Sequence, residues 1–440
     1  MRKHFTEARV DALAALAGQP LDVLAKRCCL IVDTRGLMRV LAEPAPGQNA
    51  EALRNAVASR VAPAAAAFWG GDVWLDRPKA PSEERAIYRA AWAHAMADPP
   101  GQQHTFVLNR TLGKDAWLGV ALEPPWPGDP EGPPIVSFYS YKGGVGRTTA
   151  LAAVAANLAR AGKRVAVVDL DLEAPGASAI APPSSAPPPA VGVVDYLLER
   201  SLTADPLEFG EFCYTYDDRA VLGDGEPVTV VPAGRLDGSY LDKLGRVNYG
   251  ALYLDAAGTS GGSALHALLS DVRATAAPDV VLVDSRAGLH DLGGLALSGI
   301  AHLHVLLGLS SEQSWAGLTL AIKHLGAEQL LRGSPQRDCM IVHCMAPPRD
   351  SDRRTEAAAF CDRSHEVFSD VYYNMAGDTV GEWEVPDAAD VDSPHFPVVL
   401  SRDERVAGYQ ALADVAEALC EGQWAHLAQA VATKAGVVTA

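Results

Sequence analysis

The sequence predicts an α/β fold in which a mostly parallel central sheet carries helices on both faces, preceded by a small α+β domain. Three observations predict it. Six prolines crowd into residues 123–134 and split the chain. After them, short β-branched runs alternate with helical patterns, as βαβ crossovers require. The first of those runs leads into a glycine-rich turn and then a helix, the junction at which such sheets bind ligands.

Before the proline stretch, residues 5–17 and 83–97 space their apolar positions for helices, while 29–32, 73–75, 105–108 and 116–121 read as strands. Residues 1–122 are therefore expected as an N-terminal α+β domain, without a recognisable catalytic constellation. The stretch 123–134 cannot continue a helix or a central strand and is expected as a semi-rigid spacer.

Beyond it, strands are expected at 135–139, 164–169, 228–231, 280–284, 304–307, 340–342 and 398–400. Helices are expected at 149–161, 263–276, 312–325 and 405–418. Residues 182–189, rich in proline, and 258–263, rich in glycine and serine, are expected as surface loops. Ligands on such a sheet sit beyond the C-terminal ends of the strands, so chemistry is sought just after each one.

The chemistry begins after the strand at 135–139, with Ser140-Tyr141-Lys142-Gly143-Gly144-Val145-Gly146-Arg147-Thr148-Thr149. Three glycines let successive backbone N–H groups turn inward on an anion, and the following helix adds its positive end. Thr148 stands where a phosphate-loop hydroxyl coordinates Mg²⁺.

This string resembles the deviant Walker A motif of the MinD/ParA-type P-loop ATPases, K-G-G-x-G-K-[ST]. The resemblance continues in Val167-Val168-Asp169-Leu170-Asp171, like a second strand ending in D-x-D, and in Val280-Val281-Leu282-Val283-Asp284-Ser285-Arg286-Ala287-Gly288, like the strand ending in D-S-P-A-G. Val231-Pro232-Ala233-Gly234 and Pro397-Val398-Val399-Leu400 fall where that fold would have them. The longer strings, YSYKGGVGRTTAL, DLDLEAPG and DSRAGLHDLGG, resemble a subgroup of bacterial proteins named for KGGVGRT.

The resemblance implies a three-layer P-loop NTPase domain over 135–425 with a tail at 426–440, and ATP and Mg²⁺ as cofactors. It implies that Lys142 reaches across a nucleotide-dependent homodimer to the partner's phosphates. Residues Lys142, Gly143, Gly144, Val145, Gly146, Arg147, Thr148 and Thr149 would hold the nucleotide. Asp171 would orient the attacking water, with Lys142 and Arg147 as the other catalytic groups, and Thr148, Asp284 and Asp171 would form the magnesium set. Phosphoryl transfer needs positioning and charge neutralisation more than covalent help, which suits these residue types. For Asp171 alone a helix-cap or turn role competes, and Asp169 reads as a supporting or packing residue.

Two departures bear on function. Arg147 replaces the P-loop lysine, putting a planar fork where a compact ammonium is usual. Ile341-Val342-His343-Cys344-Met345-Ala346 lacks the Asn with which many relatives read adenine, leaving adenine against guanine open.

The implied function is an Mg-ATP-driven switch that dimerises on nucleotide and acts on an unidentified protein partner. The alternatives are a nucleotide sensor or scaffold with little hydrolysis, and a transferase on the same fold. A net charge of −17 disfavours nonspecific nucleic acid and anionic membrane. The absence of an apolar N-terminal segment and of any apolar run of 18 residues predicts a cytoplasmic protein. The seven cysteines show no metal-ligand spacing, and they and the histidines at 290, 302, 304 and 343 read as packing. Arg349, Arg353 and Arg354 read as a solvated surface.

Overall fold

The computed structural model describes residues 3–33, 35–77, 81–97, 104–110, 117, 124–126, 132–183, 187–202, 207–249, 252, 263–297, 300–332, 338–373 and 385–437. The chain divides into two compact units, Met1–Gly113 and Lys114–Ala440. The strand expected at 116–121 lies outside the described residues except for Trp117. Most of the expected loop at 258–263, and parts of 123–134 and 182–189, lie outside them too.

The first unit runs α1 (Phe5–Ala15), β1 (Ala25–Val32), β2 (Met38–Pro44), α2 (Ala50–Ala65), β3 (Trp69–Leu75), α3 (Ser82–His94), β4 (Met96–Ala97) and β5 (Thr105–Asn109). Its sheet has the order β3-β2-β1-β5-β4, with β1 antiparallel to β2 and parallel to β5. Alternate β1 side chains enter different cores: Cys28, Leu30 and Val32 pack with α1 and α2, and Cys29 and Ile31 lie toward Tyr88 and Trp92 of α3. Strand β2 and helix α2 were not expected from the sequence. Asn49 caps α2 by accepting from the N–H groups of Glu51 and Ala52.

The second unit contains β6 (Ile135–Ser140), α4 (Arg147–Arg160), β7 (Val165–Asp169), α5 (Val193–Leu202), β8 (Tyr214–Tyr216) and β9 (Val228–Val231). It continues with α6 (Ala264–Ala276), β10 (Val280–Asp284), α7 (Asp291–Leu297), β11 (Leu303–Gly308), α8 (Glu312–Arg332), β12 (Asp338–Ala346), α9 (Asp350–Phe368), β13 (Val398–Ser401) and α10 (Gly422–Lys434). The strand order is β13-β12-β11-β6-β10-β7-β9-β8, and every pairing but β8 with β9 is parallel. Strands buried on both faces read as continuous apolar runs, and β10, Val-Val-Leu-Val-Asp, is buried throughout. Its successive residues serve opposite layers: Val280 and Leu282 pack with α4 and α10, Val281 and Val283 with α5, α6 and α7. Three layers follow, as expected.

Two expectations are corrected. The helix expected over 405–418 is instead a series of short turns, Glu404–Val406, Leu412–Val415 and Ala416–Leu419. Asp403 accepts from the Arg405 N–H, Asp414 accepts from the N–H groups of Gln410 and Ala411, and Gly408 adopts a φ of +70°. Each is a local competitor to helical hydrogen bonding. The tail expected at 426–440 is, through Lys434, part of α10, whose Trp424, Leu427, Ala428, Val431 and Ala432 pack in the same core as α4.

The described part of the proline-rich stretch is packed down rather than free. Trp126 is buried, donates Nε1–H to the Pro133 carbonyl at 3.1 Å, and stacks near His302 with the Arg273 guanidinium over its ring. Among the described residues, no helix is long and apolar enough to cross a membrane.

Candidate functional site

Strand β6 lies at the centre of the sheet, between β11 and β10, and the chain turns sharply where it ends. Gly144 and Gly146 adopt φ values of +74° and +90°, a region costly for residues with a Cβ, so the curled loop depends on glycine there. Among the described residues, the backbone N–H groups of Gly143, Gly144, Val145 and Gly146 have no acceptor. They form a cradle of donors ahead of the positive end of α4. Tyr141, at the loop's start, packs so closely on α8 that a Cβ at Gly317 would lie 1.9 Å from its ring.

Two aspartates stand side by side at the neighbouring ends of β7 and β10, where the register pairs Asp169 with Asp284. Asp171 follows two residues beyond Asp169. The Arg147 guanidinium bridges Asp284 and Asp171, donating through Nε to Asp284 Oδ1 at 2.5 Å and through Nη2 to Asp171 Oδ2 at 2.7 Å. The other oxygen of Asp284 accepts from Thr148 Oγ1 at 2.6 Å. Burial opposes the charge of Arg147, but Asp284 and Asp171 outweigh it and hold the guanidinium above its usual pKa. Burial also raises the Asp284 pKa, against the pull of Arg147 and Thr148.

Asp169 builds the loop instead of facing the cradle. Its carboxylate accepts from the backbone N–H groups of Asp171, Gly176 and Ala177 at 3.0, 3.1 and 3.0 Å. Burial, with the nearby Asp284 charge, pushes its pKa up to about 7. Lys142 is half-buried at the loop and, among the described residues, has no ion-pair partner.

A second group of residues ties the loop after β7 to the loop after β10. Arg286 donates to Asp171 Oδ1 at 3.0 Å and to Glu173 Oε2 at 3.0 Å, and Glu173 Oε1 meets His290 Nε2 at 2.7 Å. His290, read from the sequence as packing, is thus tied to the loop after β7. A cleft of about 480 Å³ opens beside the glycine loop, lined among others by Gly146, Thr149, Met345, Ser401, Arg402 and Asp403. The pairing of β12 with β13 slips between His343 and Ala346, and there Met345 takes a φ of +57° at the cleft wall. Only the rule that ligands sit beyond strand ends could have flagged Ser401 to Asp403. Arg353 and Arg354, at the start of α9, pair with Asp350 and line an open cleft together with Ser401, Arg402 and Asp403.

These groups suit a nucleotide and a divalent cation. The cradle offers backbone donors to phosphate, Thr148, Asp284 and Asp171 form a hard oxygen donor set, and the cleft has the size of an ordinary small-molecule site. The fold and site together define a P-loop nucleotide-binding protein. The family model for the CobQ/CobB/MinD/ParA nucleotide binding domain matches residues 136–436, and the chain belongs to that family.

No curated protein sequence matches the chain. Among solved structures, pNOB8 ParA shares 15% identity over 69% of this chain and 99% of its own, with a TM-score of 0.45. MinD of Pyrococcus horikoshii OT3, complexed with Mg-ADP, shares 19% over 69% and 98%, with a TM-score of 0.43. Cobyrinic acid a,c-diamide synthase of Mycobacterium smegmatis, holding an ATP analogue and magnesium, shares 23% over 52% and 82%, with a TM-score of 0.38. All three TM-scores lie below 0.5, so the family assignment stands on the match over 136–436.

Proposed function

We propose that this protein is an Mg-ATP-dependent molecular switch that dimerises on nucleotide, hydrolyses it slowly and passes its state to a protein partner. The observation that carries this reading is the Arg147 bridge between Asp171 and Asp284 beneath a cradle of backbone donors. Cation, carboxylates and anion site are assembled within one loop system. The cradle of residues 143–146 wraps the phosphates, with Lys142, Arg147 and Thr149 contributing at its rim. Thr148 and Asp284, with Asp171, hold the cation, which when bound neutralises phosphate charge. Asp171 orients the attacking water and accepts its proton. The cleft at Met345 and Ser401 to Asp403 takes the base and ribose.

Lys142, with no ion-pair partner among the described residues, is available to reach the phosphates of a second copy. Chromatography with light scattering tests the switch. Mass doubles with a non-hydrolysable ATP analogue and Mg²⁺ and returns with ADP; a mass indifferent to nucleotide overturns the dimer.

A sensor with little turnover is the second reading, favoured by the two carboxylates that engage Arg147. Phosphate release from the wild type decides between them. One matched structure is of pNOB8 ParA bound to nonspecific DNA. A net charge of −17 is a whole-chain average and leaves DNA open as a partner, so duplex DNA belongs in the same binding assays.

A further inference from the structure

Asp171 is gripped from both sides. Arg147 holds Oδ2 at 2.7 Å, and Arg286 holds Oδ1 at 3.0 Å. The two arginines come from different loops and differ in what else secures them. Arg147 opens the helix behind the glycine cradle, where a bound phosphate would compete for its charge. Arg286 stands after β10, anchored by Glu173, which His290 secures in turn. The D-S-P-A-G pattern that the end of this strand resembles has proline where this chain has Arg286. Its planar fork can span Asp171 and Glu173 together, which a lysine ammonium does poorly.

We infer that Arg286 is a positioning residue that keeps Asp171 oriented once phosphate has drawn Arg147 away. In the nucleotide-free protein the two arginines share the task. In the loaded protein Arg286 performs it alone, with Glu173 and His290 as its brace. The rate consequence rests on the proposed hydrolysis; the positioning itself does not.

The test compares wild type, Arg286→Ala and Arg286→Lys, with and without Mg²⁺ and a non-hydrolysable ATP analogue. Amide hydrogen exchange over residues 170–177 reports the loop, and phosphate release and binding of a fluorescent ATP analogue report function. Loss of a charged hydrogen bond should raise exchange in loaded Arg286→Ala by about tenfold, with little change in the nucleotide-free protein. Phosphate release should fall by about 10²-fold while affinity for the fluorescent analogue is largely kept, and Arg286→Lys should restore neither. Equal exchange in loaded variant and wild type overturns the inference, as does a rise of equal size with and without nucleotide. A wild type that binds the analogue but releases no phosphate refutes hydrolysis, and the exchange result still decides Arg286. A wild type that binds no analogue refutes both.

Discussion

Arg147 and Asp284 meet at 2.5 Å between Nε and Oδ1, with 8% and 1% of their side chains exposed. This pair ties the phosphate loop to the end of β10, and Asp171 adds a second carboxylate to the same guanidinium. A guanidinium can serve two carboxylates at once through separate nitrogens.

Removing that guanidinium leaves the buried Asp284 without an ion-pair partner among the described residues and Asp171 with Arg286 alone. Arg147→Met is expected to lose about 3–5 kcal/mol of stability, read as a lower urea midpoint in Mg²⁺-free buffer. Added Mg²⁺ should recover more stability in the variant than in the wild type. An unchanged midpoint would mean that the bridge holds nothing together.

Asp171→Asn keeps the shape of the site and removes the proton acceptor. Phosphate release should drop by about 10²-fold or more, the usual contribution of a general base, while nucleotide affinity measured without Mg²⁺ stays within about threefold of wild type, given that the cradle is untouched. Equal rates in variant and wild type would strip Asp171 of any part in turnover.

Lys142 has a different expected signature. Lys142→Ala should still bind a fluorescent ATP analogue, because the backbone donors remain, yet show no mass increase by light scattering with the non-hydrolysable analogue. A variant that dimerises normally would refute the reach of Lys142 across an interface.

His324, on α8 and 5.2 Å from the Trp117 ring, is held neutral by burial, its pKa lowered from 6.5 to about 4. A lowered histidine pKa contributes stability that is fully present above pH 6.5 and is lost as pH falls toward 4. His324→Phe should flatten the fall in thermal midpoint across that window. A variant as acid-sensitive as the wild type would assign the fall to other groups.

The sheet of the second unit was legible because buried parallel strands write themselves as unbroken apolar runs: 228–231 and 280–284 were located to the residue. Helix α9 was not, because its face is dominated by charged residues from Asp350 to Glu366, with few apolar positions to betray a period. Strand β2 hid among mixed residue types in a small mixed sheet. Within the site, Lys142 to Thr149, Asp171 and Asp284 were legible since their motifs are contiguous. Glu173, Arg286 and His290 were not, because their meaning lies in pairing across two loops. The cleft wall at Met345 and Ser401 to Asp403 depends on a slip between neighbouring strands, which no residue type announces.

The cleft joins segments that lie far apart along the chain. Its inner wall is the glycine loop, while Ser401 to Asp403 and Trp424 stand on the other side of the whole parallel sheet in sequence. Helix α10 then closes over α4. A chain cut before Ser401 would keep the phosphate cradle and lose the far wall. The site therefore comes together only through contacts of high sequence separation, which form late in folding because closing so long a loop costs entropy before those contacts can repay it.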